Sequence, residues 1–357
     1  MQNFRSDYLH SVWPTVPNQA QQNDSEPTLR PDYIWAKLGL ALIVSAAFAA
    51  VFASVDGFAD AWKRLQGVDL SVLSIALLLM IFAQITRAAR LSVLIAGHGV
   101  PSLRIFSLSV LHAFLASLLP MRIGELALVL LLKRHHQMTF TGGLGVLIGT
   151  KVLDLQLLLA IGCFSAAWIM KTNGDNEAGL IVVTLLVGAM AVFGFLMLPL
   201  SRSALRTVSR AMAVRGWNRI AGFIDELISA YSNLGRRQTV ALQVTTVLLW
   251  GLFLTSFHLC ALAVNGTPGV LSTFASAVAG SFAFALPING LAQFGPFEAA
   301  WVAAAKFLSG ADISRSLPAA LLVHGATLSV AGLLSCVTSL WLFREEEGRE
   351  VKKDAAT

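Results

Sequence analysis

The chain has 357 residues, 56% hydrophobic and 13% charged, with a mean hydropathy of +0.70. A soluble domain carries about a quarter charged residues, so this composition excludes one and specifies a polytopic α-helical membrane protein. The net charge of +6 does not point to nucleic acid, because the Lys and Arg residues cluster between apolar runs, as cytoplasmic loops require.

Residues 1–33 are polar, hold Pro14, Pro17, Pro27 and Pro31, and lack apolar periodicity. The expectation is a disordered cytoplasmic tail over 1–35. The first apolar run, Ala36 to Ser54, is long enough to span. The alternative, a signal-peptide core, would need an unusually long leader. Full-length spans are expected at about 70–95, 143–170, 178–200, 239–264 and 316–343. Arg30 and Lys37 flank the first span, Arg104 follows the second, Lys133 and Arg134 precede the third, and seven arginines lie between 201 and 238. Arg344, Arg349, Lys352 and Lys353 lie in a charged tail, 344–357. The opposite loops, 171–177 and 265–271, hold only Lys171. This asymmetry predicts six full crossings with both termini in the cytoplasm. Cys163, Cys260 and Cys336 all lie in apolar spans and read as small buried hydrophobes.

Two apolar segments are broken. One, 105–132, is interrupted at Leu119-Pro120-Met121-Arg122-Ile123-Gly124-Glu125; the other, 272–308, at Ala285 to Glu298, which reads ALPINGLAQFGPFE. Pro and Gly end helices, and unwound backbone at membrane depth is tolerated only where protein or a wet cavity surrounds it. Residues 126–132 would rise only about 10 Å against a hydrocarbon core of about 30 Å. Both segments are therefore read as re-entrant hairpins, although two short crossings would give the same charge pattern. The order span, hairpin, span then occurs twice, over 70–170 and 239–343, with opposite orientation. Such an inverted repeat with broken helices is the pattern of secondary transporters. Between the repeats, 201–238 reads either as an amphipathic helix on the inner leaflet or as an ordinary basic loop; Arg202, Arg206 and Arg210 share one helical face.

Few polar residues fall at membrane depth. Lys151 and Asp154 share a face near mid-bilayer, and His324 lies at the equivalent depth of the last span. Arg122 and Glu125 lie at the first break; Asn289, Gln293 and Glu298 lie at the second. An ionisable group at such depth costs about 2.5–3.5 kcal/mol and needs a partner. The plainest arrangement pairs Lys151 with Asp154 and Arg122 with Glu125. The broader one is a polar cavity, in which Arg122 and Lys151 hold a phosphate, Glu125, Asp154 and Glu298 hold a cation or protons, and His324 titrates. Arg87 and Arg90, near a helix end, are expected to reach headgroups at the membrane surface. His112 and His258 read as structural. No hydrolase, nucleotide-binding or metal-ligand motif is present, so neither cofactor nor metal is expected.

The LLPMRIGE stretch, RAAR at 87–90, TKVLD at 150–154 and LPINGLAQFGPFE resemble the bacterial flippase-like family named for the transmembrane region of lysylphosphatidylglycerol synthase. The resemblance covers about 40–343. It implies a lipid-handling site in which Arg122, Gly124 and Glu125 match the first motif, Asp154 the second, and Gly290, Gly295 and Glu298 the third. The chain departs from the pattern at Thr150-Lys151, where the family usually has Glu-Arg, and at His324, where Arg is common. The aminoacyl-transferring domain of the bifunctional synthases is absent from these residues, so lipid aminoacylation is not expected.

The resulting expectation is an inner-membrane, flippase-like protein rather than an enzyme. It would bind and translocate an anionic phospholipid or polyprenyl-linked lipid. Two other readings stand beside it: an accessory subunit of a lipid-modifying enzyme or glycosyltransferase, and an intramembrane headgroup transferase with His324 as base.

Overall fold

The computed structural model describes residues 31–54, 58–96, 102–172, 234–265, 269–284 and 290–354, with parts of 179–225. Among the described residues the fold is carried by α1 (Pro31–Ser54), α2 (Phe58–Gln66), α3 (Leu70–Ala96), α4 (Leu103–Leu118), α5 (Leu126–His136), α6 (Phe140–Thr172), α7 (Arg236–Ala263), α8 (Val270–Ala283), α9 (Pro296–Ser309) and α10 (Ile313–Asp354). Two short 3₁₀ turns, Pro120–Glu125 and Leu291–Gln293, interrupt α4–α5 and α8–α9. Among the described residues there is no strand.

Local chemistry sets the helix starts. Asp69 accepts the Ser71 and Val72 N–H groups at 2.9 and 3.3 Å and caps α3. The Ser71 hydroxyl, then the Val72 and Ser71 N–H groups, hold the Asp69 carboxyl below its ordinary range. Ser102 caps α4, and Thr139 Oγ1 accepts the Gly142 N–H at 2.9 Å to start α6. Pro296 opens α9, where its missing N–H costs nothing, and Glu298 reaches back to the Gly295 N–H at 2.8 Å.

Among the described residues four helices are long and apolar enough to cross a membrane: Leu70–Ile95, Phe140–Thr172, Arg236–Ala263 and Ile313–Trp341. Gly39–Ser54 and Phe58–Gln66, inclined at 100°, make a fifth if counted together. The span expected at 178–200 lies mostly outside the described residues, as does the tail over 1–30; α1 begins already at Pro31. The charged residues after 343 continue α10 as far as Asp354. The bundle faces outward with Leu78 and Phe82 of α3, Phe164 and Trp168 of α6, Val244 and Leu248 of α7 and Leu333 and Leu340 of α10, all exposed. Such a continuous apolar exterior has lipid as its solvent.

Inside, α3 packs along α7, and Met80, Leu249, Leu254, Phe297, Trp301 and Val323 form one core; Leu94, Ile95, Ile105, Leu132, Val146 and Leu242 form a second. Each broken segment folds back on itself, α4 against α5 and α8 against α9. Their tips meet: the two 3₁₀ turns touch each other, and α1 packs against both. Ser45 of α1 accepts the Leu291 N–H at 2.7 Å. The glycines at these tips permit the approach. Gly295 has φ +112°, and a side chain there would strike the Phe48 ring. A Cβ on Gly124 would enter the Leu115 carbonyl and come within 2.7 Å of Ala116 Cα, backbone atoms that cannot swing aside.

Gly124→Ala is therefore expected to destabilise the protein by about 2 kcal/mol or more, as overpacking against fixed atoms does. Gly251→Ala, which meets nothing within 4 Å, serves as the tolerated control. Thermal unfolding of the purified variants in detergent reads the difference.

Candidate functional site

The polar residues at membrane depth converge on one cavity of about 430 Å³. Arg87 and Arg90 enter it from α3, His112 from α4, Glu125 from the first 3₁₀ turn, Lys151 and Asp154 from α6, Trp250 and Phe253 from α7, Gln293 from the second turn and His324 from α10. The spacing of three residues within each of the pairs 87/90 and 151/154 places both members on one helical face, so packing α3 beside α7 and α6 turns all four inward.

Arg90 is the anchor. The residue is 3% exposed, and its guanidinium grips Asp154 with two bonds, Nη1–Oδ1 at 2.5 Å and Nη2–Oδ2 at 3.2 Å. Trp250 Nε1–H donates to the same carboxylate at 2.8 Å, and Thr246 Oγ1 accepts from Arg90 at 3.5 Å. A forked guanidinium on a carboxylate that takes a third donor is the arrangement that makes a buried ion pair tolerable, although Arg90 Nε itself is left without a partner. Arg87, one turn earlier, lies over the Phe253 ring at 5.2 Å in a cation–π contact and has no carboxylate partner among the described residues.

A second pair closes the side of the cavity. Lys151 Nζ donates to Glu125 Oε1 at 2.5 Å, and His112 Nε2 stands 3.6 Å from Glu125 Oε2. The Lys151 side chain is half-exposed, and a shallow groove lined by Leu147, Ile148, Val152 and Leu155 runs outward from this pair along the lipid-facing side of α6. The third element is Glu298, fully buried, which receives His324 Nδ1 at Oε1 at 2.5 Å and the Gly295 N–H at Oε2. Phe284 and Phe297 flank the His324 ring at 5.6 Å.

Several expectations change. Arg87 and Arg90 are not at the membrane surface: Arg90 finds the Asp154 carboxylate inside the bundle, and a buried counter-charge outcompetes distant headgroups. Lys151 pairs with Glu125 rather than with Asp154, so both carboxylates have a cation from another element. His112 is no mere structural histidine but part of the Glu125 cluster. Its signal was available, since it is the only titratable residue between 105 and 118. Gln293 bridges the hairpins by donating to the Ala116 carbonyl. Gly124 shapes the first tip rather than touching the cavity. The Arg122 side chain, Asn289 and Arg202 lie outside the described residues, while Arg206 and Arg210 are exposed.

The family model described as "Lysylphosphatidylglycerol synthase TM region" matches residues 35–335. No curated protein and no solved structure matches the chain.

Asp154→Leu leaves Arg90 buried without a counter-charge and is expected to cost about 3–5 kcal/mol, whereas Arg90→Leu/Asp154→Leu recovers most of that loss. A double-mutant cycle of thermal stabilities tests this; additive losses would mean that the two side chains do not interact.

Proposed function

The chain belongs to the lysylphosphatidylglycerol synthase TM region family, and on that premise we propose that it binds a lipid by its headgroup and carries it between membrane leaflets. The observation behind this reading is a charged cavity enclosed by a bundle whose exterior is apolar. Its size suits a small polar ligand, for which cavities run from about 300 to 1,000 Å³. A two-chain lipid enters only by its head. The groove beside Lys151 supplies a route for the chains, since Val152 and Leu155 there are exposed to lipid.

The cations divide the work. Arg90 is spent on Asp154. Arg87 retains unused donors and suits a phosphate, held by a guanidinium in a low-dielectric site. Lys151, on the rim, releases Glu125 when a phosphate competes for it, which opens the side of the cavity toward the groove. In this reading, the two hairpins are re-entrant halves of an inverted repeat with six flanking crossings, set in the inner membrane with both termini cytoplasmic. Rocking of the halves about their touching tips exposes the head site to each leaflet in turn. The protein is a carrier, not a catalyst.

Reconstitution into liposomes with a fluorescent anionic phospholipid tests the proposal. Wild-type protein should speed leaflet exchange over empty vesicles. Arg87→Ala should slow it by about tenfold or more, the loss expected for one charge-assisted hydrogen-bonding group. Equal rates with wild-type protein and without protein would rule out translocation.

A further inference from the structure

The buried acids around the cavity are neutralised in two different ways. Asp154 and Glu125 each hold a permanent cation, Arg90 and Lys151. Glu298 does not. It is fully buried, and its ionic partner among the described residues is His324, with Nδ1 on Oε1 at 2.5 Å. Histidine is the side chain whose charge changes nearest neutral pH. A neutral ring beside a carboxylate carries one negative charge; one further proton, on either group, makes the pair neutral. That count does not depend on which atom bears the proton. Glu298 cannot turn toward another cation, because its Oε2 takes the Gly295 N–H and the pair sits against Phe284 and Phe297. His324 Nε2 and Gln84 Oε1 have no partner, and both side chains line the cavity, so water there reaches the ring.

Charge then restricts which forms of the cavity can exist. Among the described lining side chains the fixed cations are Arg87, Arg90 and Lys151, and the fixed anions are Glu125 and Asp154. Behind them stands the Glu298–His324 pair. Without a ligand, the whole is neutral only if the pair has released its proton. With a phosphodiester on Arg87, it is neutral only if the pair has kept it. Unmatched charge at membrane depth is costly, so the two neutral forms are the ones that rearrange. His112 does not replace the pair in this count, because it stands beside Glu125, whose charge Lys151 already matches. Other ionisable groups on the elements packed around the pair are engaged elsewhere or exposed. His258 of α7 bonds Thr273 of α8, and Cys260 is buried in the core. On α2, Lys63 pairs with Asp60 and Arg64 donates to the Asn265 carbonyl. Lys306 of α9 and Arg315 of α10 are exposed. We infer that Glu298–His324 is a proton-binding site and that the protein carries one proton with each anionic lipid, as an electroneutral symporter.

The inference rests on the lipid-carrier reading and adds its coupling ion. Wild-type protein is reconstituted in phosphatidylcholine liposomes, fluorescent phosphatidylglycerol is added to the outer leaflet, and protein-free liposomes give the background. With the outside more acidic than the lumen, inward movement should run several-fold faster than at equal pH. A pH dye in the lumen should report acidification that follows the lipid. A potassium-diffusion potential should leave the rate unchanged, because no net charge crosses. Glu298→Gln keeps an acceptor for the Gly295 N–H but fixes the pair as neutral. It should lose the response to the pH gradient and gain one to the potential. His324→Arg, which gives Glu298 a permanent cation, should behave alike, and it serves if Glu298→Gln fails to fold. Wild-type movement that ignores the pH gradient, or that a potential drives instead, overturns the inference and leaves the carrier standing. A gradient response undiminished in both variants overturns the assignment to this pair. No movement at all removes the carrier reading, and the symport with it.

Discussion

Charge in a bundle solvated by lipid must be matched inside the protein, and the Arg90–Asp154 pair is where this chain meets that demand between its long helices. The pair joins α3 to α6, and its satellites Thr246 and Trp250 extend the joint to α7. Three of the four long apolar helices are thus fastened at one depth by one ionic knot. The fourth, α10, is tied separately, through His324 to Glu298 and through the Ser335 hydroxyl to the Val110 carbonyl of α4. Dispersion alone would let apolar helices slide in lipid, because tails are as apolar as Leu. Directional bonds of this kind fix their register.

The broken hairpins follow from the same requirement. Backbone unwound at this depth must find internal partners, and it does so by bringing both tips together. Gln293 supplies a donor to the Ala116 carbonyl, and Ser45 takes the Leu291 N–H. The close contact has a local cost: Ala292 and Gln293 sit at φ +51° and +61°, a left-handed region that each non-glycine residue occupies at about 1–2 kcal/mol. Such strain persists where the surroundings over-determine it, and here it aims one hairpin at the other beside the cavity. The tips are thus closely specified by their own contacts.

Much of this was legible in the residues. Composition specified the helical membrane class, and the Leu-Pro and Gly signals placed both helix breaks, at 119–125 and near 285–298, where α4 and α8 end. Glu298 was recognisable as an acid at membrane depth, and Asp154 and His324 as candidates for a shared cavity; Lys151 instead sits half-exposed on its rim. Partner choice was not legible. Spacing along one helix suggested Lys151 with Asp154, yet side chains three residues apart on a helix wall look across at the neighbouring helix as readily as at each other. Arg90 misled for a related reason: proximity to a helix end implies escape to the surface only when no carboxylate waits inside. Gln84 did not stand out, and His112 was visible as the lone titratable residue of its helix but read as structural, because a single polar residue on an apolar helix carries no sign of what faces it.

The central claim is that the cavity holds a lipid head on Arg87 while the chains leave past Lys151. A cryo-EM map of the protein in nanodiscs of native lipids tests it most directly. The account predicts headgroup density within hydrogen-bond reach of Arg87, continuous with chain density along the Val152 and Leu155 face of α6. A cavity packed by acyl chain, or one that stays unfilled while ordered lipids line other faces of the bundle, would contradict it.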